Sequence, residues 1–205
     1  LAAERAGSTY EDALAARVLG PAGLEATVFD EPDLGGTGPD SIEGRYPRAR
    51  RPSGGLVSTV ADLLRFARWQ LGEDSTAALR VALAKPVGGV YGLGFFGERV
   101  GGEDVWGHPG SYGGFQSSLL LVPSRGAAFI GLTNSGRGGQ ALAEVEDAWF
   151  EAIVGARRRE AETVELPADE LAAFAGTYEN SGLHATVAPD GNGVRVDVAE
   201  VLPTG

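Results

Sequence analysis

Residues 105–134 read VWGHPGSYGGFQSSLLLVPSRGAAFIGLTN, and this stretch decides the fold. Strand-like runs at residues 103–108, 115–122 and 127–134 are separated by short segments rich in Gly, Pro and Ser. Short apolar runs bounded by turn residues are typical of strands, and such short connections join antiparallel neighbours. Together with a fourth run at residues 90–96, the pattern predicts a four-stranded antiparallel meander.

Helix signals surround the predicted strands, because capping residues and apolar residues at helical spacing occur on both sides. The predicted helices are one capped by Ser8 or Thr9 and ended by Gly20-Pro21, one capped by Ser58 or Thr59 and ended by Gly72, a shorter one at residues 75–86, and a long one at residues 139–157. Their buried stripes are expected to contain Val60, Leu63, Leu64, Ala67 and Leu71 in the second helix and Leu142, Val145, Ala148, Trp149 and Ile153 in the long helix.

These elements place the chain in the α+β class, as an α/β sandwich of an antiparallel sheet with helices packed on it. After residue 158 the composition changes: an acidic, linker-like segment precedes short strand patterns around a Gly-Asn-Gly turn. We therefore predict a main domain at residues 1–158. Residues 159–205 are expected to form a linker and the start of a truncated, small β-rich module.

The composition excludes several classes of protein. The chain has 205 residues and a formal net charge of −11, which argues against a nucleic-acid-binding surface. It contains no cysteine and two histidines, so no thiolate metal site exists and nothing indicates a metal or a cofactor. No apolar run approaches the ~20 residues of a membrane span. The arginine runs at residues 45–51 and 157–159 are expected to be solvated, and His184 to be an exposed strand residue without a partner.

His108 is placed where a predicted strand ends in a glycine-rich segment. Pro109 cannot donate a ladder hydrogen bond, and the glycines that follow carry no side chains, so a ligand can approach the backbone closely. The N–H of Ser111 is then a candidate donor to a carbonyl oxygen, as in an oxyanion hole. The alternative is a glycine-rich hairpin with a half-buried histidine, since glycine clusters near strands often only mark turns.

Three segments in this order resemble the serine hydrolases related to class C β-lactamases, penicillin-binding proteins and D-alanyl-D-alanine carboxypeptidases. GLEATVF at residues 23–29 resembles the family's GM-x-x-T segment, and SGGLVSTVADLLRFARWQL at residues 53–71 resembles its GGL-x-S-T-x-x-D-L-x-R-F helix. YGLGFF at residues 91–96 and GHPGSYGGFQSSLLLVPSRGAAFIGLTN at residues 107–134 resemble the strands of its Lys-Thr-Gly or His-x-Gly motif. The resemblance covers about residues 7–155 and implies a β-lactamase/transpeptidase-like fold whose N-terminal part is missing.

The resemblance implies a role for each residue of the third segment. His108, Pro109 and Gly110 stand at the Lys-Thr-Gly or His-x-Gly positions, and the backbone N–H of Ser111 would form half of the oxyanion hole. His108 and Ser111 are therefore the catalytic candidates. The implied substrate-binding residues are Pro109, Gly110, Tyr112 and Gly113. A lysine would be a fixed cation, whereas a histidine near its reference pKa of ~6.5 is mostly neutral at neutral pH, which favours esterases, amidases and peptidases over β-lactamases.

The family's Ser-x-x-Lys nucleophile motif and Tyr-x-Asn motif are not found in context. The only lysine is Lys85, and Ala82 occupies the position three residues before it. Tyr178 and Asn180 have Tyr-x-Asn spacing but lie in the trailing module, so we interpret them as a chance match. Methionine is also absent. We expect a fragment that starts just after the Tyr-x-Asn motif, is inactive alone, and needs the N-terminal half of the domain to cover its sheet edge and remain soluble.

For the intact protein, the resemblance implies acyl-enzyme hydrolysis of a small-molecule ester or amide, a β-lactam or a peptidoglycan-like D-amino peptide. A second possibility is a non-catalytic homologue with a binding or regulatory role. A third is an unrelated α+β interaction domain, which would require all three motif matches to be coincidental. No partner nucleic acid, metal or cofactor is expected, and the sequence does not decide the localisation.

Overall fold

The computed structural model describes residues 2–5, 7–29, 47–72, 91–92, 94–158, 164–179 and 183–200. The chain divides into two compact units, Leu1–Arg159 and Glu160–Gly205. This division falls one residue after the predicted end of the main domain. The predicted helix at residues 75–86 lies outside the described residues.

The larger unit contains a four-stranded sheet whose order follows the chain, and each neighbouring pair of strands is antiparallel. Its strands are β1 (Phe96–Val100), β2 (Glu103–Tyr112), β3 (Phe115–Val122) and β4 (Ala127–Thr133). A 3₁₀ turn at Pro123–Arg125 joins β3 to β4. The predicted antiparallel meander is confirmed.

The first strand lies later in the chain than predicted. It covers Phe96–Val100 rather than residues 90–96. The reason is the two-residue turn Gly101-Gly102, whose φ angles of 59° and 84° are those that a tight hairpin turn requires. A hairpin this tight sets the register of β1 on β2, so β1 extends backward from the turn.

The second strand is longer than predicted. β2 does not end at His108 but continues to Tyr112, and Pro109 stays in register opposite β3. A proline is tolerated in a strand where its nitrogen faces an unpaired edge. The turn Gly113-Gly114, with φ angles of 57° and 83°, then reverses the chain into β3.

The first long helical segment passes through the predicted stop. After α1 (Ala2–Arg5), it consists of α2 (Tyr10–Leu14), a π-helical turn (Ala15–Leu19) and α3 (Gly20–Ala22). Thr9 is the N-cap, since its hydroxyl accepts a 3.1 Å hydrogen bond from the N–H of Asp12. Gly20-Pro21 does not end the helix; Gly23, with a φ of 68°, does. The wider π turn accommodates a proline that would otherwise break the helix.

The second long helix is capped as predicted but buries a different set of residues. A 3₁₀ turn (Arg48–Arg50) and α4 (Arg51–Gly54) precede α5 (Val60–Leu71). The hydroxyl of Thr59 accepts a 3.2 Å hydrogen bond from the N–H of Asp62. Ala67 and Asp62 are buried, whereas Val60 and Leu64 are 43% and 37% exposed, so the prediction that these two are buried is wrong. A buried, hydrogen-bonded aspartate leaves no signal in the periodicity of apolar residues.

The long helix near the end of the larger unit is confirmed as α6 (Gly138–Val154). It ends at Gly155, whose φ is 72°. Phe150 and Glu146 are buried, whereas Val145 is 54% exposed. The helix is therefore rotated relative to the predicted stripe, which placed Val145 on the buried face.

A helix lies on each face of the sheet, which confirms the predicted sandwich. Side chains alternate between the two faces of a strand. The core on the α5 side contains Ala67 and Leu121, with Leu71, Phe95, Leu119, Ala128 and Ile130 packed against them. The core on the α6 side contains Val100, Val105, Leu120, Val122 and Phe150.

Arg158 anchors the segment that follows α6. Its guanidinium binds Glu98 of β1 at 2.8 Å and also binds Glu146 of α6. It lies 4.8 Å from the ring centre of Phe150. The prediction that the arginine run at residues 157–159 is solvated is therefore wrong for Arg158.

The smaller unit contains α7 (Ala168–Ala172) and an antiparallel sheet of β5 (Gly176–Glu179), β6 (Leu183–Asp190) and β7 (Gly193–Glu200). The strands around the Gly-Asn-Gly turn are confirmed. His184 is not without a partner, because its Nδ1 lies 2.8 Å from Oε1 of Glu179 on the neighbouring strand. That this unit is the start of a truncated module stays a prediction.

Candidate active site

All six predicted site residues lie on one strand and its turn. β2 contains His108, Pro109, Gly110, Ser111 and Tyr112, and Gly113 opens the turn to β3. β1 pairs with β2 only from Glu103 to Gly107, whereas β3 pairs with it as far as Tyr112. The last five residues of β2 therefore lie against β3 on one side and beyond the end of β1 on the other.

The register sets the direction of each backbone amide in β2. In an antiparallel ladder, alternate residues direct both N–H and C=O to the same neighbouring strand. The residues that flank a two-residue hairpin form a hydrogen-bonded pair, so Glu103 faces β1 and Tyr112 faces β3. Every second residue from Glu103 faces the same side, so Pro109 and Ser111 face the side of β1. Because β1 has ended by then, the N–H of Ser111 and the C=O of Pro109 are directed to the outer edge of β2.

The imidazole of His108 and the hydroxyl of Ser111 lie on opposite faces of the sheet. His108 pairs with Leu119, which belongs to the core on the α5 side. Ser111 is three residues further and pairs with Gln116, whose Nε2 donates a 3.0 Å hydrogen bond to the hydroxyl of Ser111. His108 therefore does not activate this hydroxyl, and the group of Ser111 relevant to the predicted site is its backbone N–H.

His108 is held by the chain at both ring nitrogens. Its Nδ1 lies 2.5 Å from the carbonyl oxygen of Pro109, and its Nε2 lies 3.1 Å from the hydroxyl of Tyr91. The rings of Phe96 and Tyr91 lie 5.2 Å and 5.8 Å from the imidazole, centre to centre. Tyr91 is not among the residues predicted from the sequence: YGLGFF contains it, but nothing local indicates that it reaches a histidine 17 positions later.

Gly110 has a packing reason inside the sheet in addition to the predicted one. A Cβ atom on Gly110 would lie 2.3 Å from Oγ of Ser117, far inside van der Waals contact. The absence of a side chain therefore lets β2 and β3 come together at this pair. Gly113 is a turn residue, and its φ of 57° is rarely adopted by residues with a side chain.

A buried carboxylate joins the first two family-like segments. Oδ2 of Asp62 accepts 2.8 Å hydrogen bonds from the N–H of Ala26 and the hydroxyl of Thr27. Arg65 donates to Oδ1, and the hydroxyl of Thr27 also lies 2.8 Å from that of Ser58. Burial raises the pKa of this carboxyl, but the hydrogen bonds from Thr27, Ala26 and Arg65 outweigh that effect and hold its pKa below the ordinary value. The sequence identifies both segments but not their contact.

Glu11 binds part of the arginine run at residues 45–51. Its Oε1 lies 2.7 Å from Nη1 of Arg51 and 3.1 Å from Nε of Arg48. The guanidinium of Arg51 also lies 5.2 Å from the ring centre of Phe29. A backbone hydrogen bond and the two arginines lower the pKa of Glu11 to about 2. The prediction of a solvated run is wrong for Arg51, whose side chain is 19% exposed.

Within the described parts of the chain, no group of three or more His, Asp or Glu side chains could hold a metal ion. Across those same residues, no helix has the length and apolarity needed to cross a membrane. Two hollows lie beside Gly102 in the β1–β2 turn, at the opposite end of β2 from Ser111.

Comparison with known proteins agrees with this architecture. A family model described as Beta-lactamase matches residues 1–153. Penicillin-binding protein 4 of Amycolatopsis lactamdurans is 29% identical over 210 residues, which cover 86% of this chain and 55% of that protein.

Two solved structures extend the comparison. The D-amino acid amidase from Ochrobactrum anthropi SV3, complexed with D-phenylalanine, is 26% identical with a TM-score of 0.57, covering 74% of this chain and 57% of the amidase. SurE is 23% identical with a TM-score of 0.64, covering 95% of this chain and 52% of SurE, and this likeness shows the fold alone. The chain thus spans slightly more than half the length of these proteins.

Proposed function

The chain belongs to the beta-lactamase family, whose members are serine hydrolases, and on that premise we propose that it contributes the oxyanion-binding strand of such an enzyme. The proposed reaction is hydrolysis of an ester or amide bond through an acyl-enzyme. The observation that carries the proposal is the register of β2, which directs the N–H of Ser111 to an edge that β1 leaves uncovered.

In the proposed reaction, the serine of a Ser-x-x-Lys motif elsewhere in the intact protein attacks the substrate carbonyl carbon. Its proton passes to a general base and then to the leaving alcohol or amine as the carbonyl–leaving group bond breaks. The N–H of Ser111 donates to the oxygen that becomes negatively charged, and water later releases the acyl group. Removing one such donor typically lowers kcat by about 10²–10³-fold.

Esters and amides, with D-amino acid derivatives among them, are the proposed substrates. The similar amidase was solved with D-phenylalanine, and the similar protein from Amycolatopsis lactamdurans is named a penicillin-binding protein. Histidine at position 108, rather than lysine, supports an ester or amide over a β-lactam, because no fixed cation is placed there for a substrate carboxylate.

The second candidate is a non-catalytic homologue that binds a related ligand. These 205 residues contain no Ser-x-x-Lys sequence. Its presence in the rest of the intact protein would favour the enzyme, and its absence there would favour the non-catalytic homologue. Because these residues lack the motif, we propose that this chain alone gives no turnover. A burst of p-nitrophenol from a p-nitrophenyl ester, in proportion to the chain, would contradict that proposal.

The test uses Ser111→Pro in the intact protein that contains this chain. The variant removes the N–H while losing no ladder hydrogen bond to a described strand, because β1 ends before this position and the nitrogen faces away from β3. We expect hydrolysis of D-phenylalanine amide to fall by about 10²–10³-fold. Ser111→Ala keeps the N–H and should retain most of the rate. An equal loss in both variants would contradict the backbone role, and absence of turnover and acylation in the unaltered protein would favour the non-catalytic homologue.

A further inference from the structure

The contacts of His108 determine which ring nitrogen carries the proton. The carbonyl oxygen of Pro109 can only accept a hydrogen bond, so Nδ1 of His108 must be the donor in their 2.5 Å contact. In the neutral ring, Nε2 is then an acceptor. The hydroxyl of Tyr91 supplies the proton for the 3.1 Å contact with Nε2.

Tyr91 is itself held in place by a short local turn. Tyr91 and Phe96 form an isolated antiparallel bridge, and their rings meet edge to face with centres 4.6 Å apart. Inside this turn the N–H of Gly92 donates a 2.7 Å hydrogen bond to the carbonyl of Phe95. The bridge thus ties Tyr91, whose hydroxyl reaches His108, to the first residue of β1.

We propose that Tyr91 is a positioning residue: by bonding Nε2 it holds the imidazole of His108 in the orientation in which Nδ1 donates to Pro109, so that no imidazole N–H is left for the substrate. With Nδ1 bound to the Pro109 carbonyl, which is directed to the same outer edge as the N–H of Ser111, and Nε2 bound to Tyr91, the ring offers no free donor. The consequence for substrate preference rests on the proposed function. A substrate with a free carboxylate beside the scissile bond finds no hydrogen-bond donor on His108. The preferred substrates therefore carry an uncharged group, such as an amide or an ester, at that position.

The primary test reads the tautomer and needs no turnover. The chain contains two histidines, so His184→Ala assigns the signals of ¹⁵N-histidine-labelled protein in two-bond ¹H–¹⁵N spectra. In alkaline buffer we expect His108 to show a protonated Nδ1 and an unprotonated Nε2 as a single tautomer. Tyr91→Phe keeps the ring that contacts Phe96 but removes the hydroxyl. The imidazole can then turn away from the carbonyl of Pro109, and the Nε2 signal should shift towards a mixture of tautomers.

Tyr178→Phe is the matched control. It also removes a hydroxyl that makes one hydrogen bond, 2.8 Å to the carbonyl of Phe174 in the smaller unit. The tautomer of His108 should not change in this variant. An Nε2–H tautomer in the unaltered protein, or unchanged His108 signals in folded Tyr91→Phe, would overturn the assignment.

A second measurement separates this inference from the proposed function. In the intact protein, kcat/KM is compared for D-phenylalanine amide and for the dipeptide D-phenylalanyl-D-alanine, which has a free carboxylate. We expect the amide to be preferred and the preference to fall at least severalfold in Tyr91→Phe. A preference for the dipeptide in the unaltered protein would overturn the substrate consequence. If His108 shows the expected tautomer but the intact protein hydrolyses neither compound, the role of Tyr91 would be supported and the proposed hydrolase activity would be contradicted.

Discussion

The hydroxyl of Thr27 donates a 2.8 Å hydrogen bond to the buried carboxylate of Asp62, 35 residues later in the chain. Beside it, Val28 and Val57 exchange backbone hydrogen bonds of 2.9 Å and 2.8 Å. These contacts fasten the segment after the first long helical stretch to the beginning of α5. Two segments that resemble separate parts of a family pattern are thus one structural unit.

Asp62→Asn is expected to lower Tm, because an amide carries no charge for Arg65 and cannot accept at both oxygens. The folded pKa of Asp62 lies below its unfolded value of about 3.9, so its contribution to stability is present above that pH. The contribution is lost as the pH falls through the folded pKa. Thermal melts should therefore show a difference between the variant and the unaltered chain at neutral pH that shrinks in strong acid.

Asp104→Asn provides the control for that measurement. Asp104 is exposed, and its 3.5 Å contact with Arg99 is a surface ion pair that is expected to contribute little to the free energy of unfolding. Its Tm should stay close to that of the unaltered chain at every pH. Equal melting behaviour of the Asp62 and Asp104 variants would show that the Thr27–Asp62 contact does not stabilise the fold.

Glu11→Gln should loosen the attachment of Arg51 and Arg48 to the first long helical stretch. The folded pKa of Glu11 is about 2, below the ordinary glutamate value, so its stabilisation is present at neutral pH and lost only as the pH falls towards 2. Chemical denaturation at several pH values should show the variant less stable at neutral pH and equal to the unaltered chain near pH 2. Glu144→Gln, on the exposed side of α6, should show no such convergence.

Gly110→Ala is expected to destabilise the chain by about 1 kcal/mol, because the new methyl group would overlap Oγ of Ser117 and this hydroxyl must rotate away. Ser117→Ala removes that oxygen, and the remaining Cβ of residue 117 would lie 3.6 Å from the new methyl group, which is ordinary van der Waals contact. The double variant should therefore recover much of the loss. A strictly additive double-mutant cycle, measured by denaturant unfolding, would contradict the close packing of this pair.

Phe150→Ala should cost about 3–5 kcal/mol, since the ring is completely buried between α6 and the sheet. Val145→Ala, on the same helix but 54% exposed, should change the unfolding free energy by no more than about 0.5 kcal/mol. The pair tests the rotation of α6 relative to the stripe expected from periodicity. A larger loss for Val145→Ala than for Phe150→Ala would restore the stripe that the sequence predicts.

Much of the site strand could be predicted because its signals are local. Gly113-Gly114 between apolar runs predicts the β2–β3 hairpin, and Thr59 before an apolar repeat predicts the start of α5. The end of β2 could not be predicted from composition. A proline in a sequence is normally taken as a strand end. Pro109 instead continues β2, because its nitrogen faces the side on which none of the described strands pairs beyond Gly107.

The sequence by itself determined the order of strands and helices and the antiparallel class, because turn glycines, caps and apolar periodicity act over a few residues. It indicated the family through the resemblance of three segments to known motifs. Only the tertiary structure decided that Tyr91 meets His108, that Asp62 is buried against Thr27, and which face of α6 is covered. Those contacts join residues 17 or more positions apart or depend on how a helix rotates against the sheet. Packing of the whole unit selects them, and no local pattern carries that information.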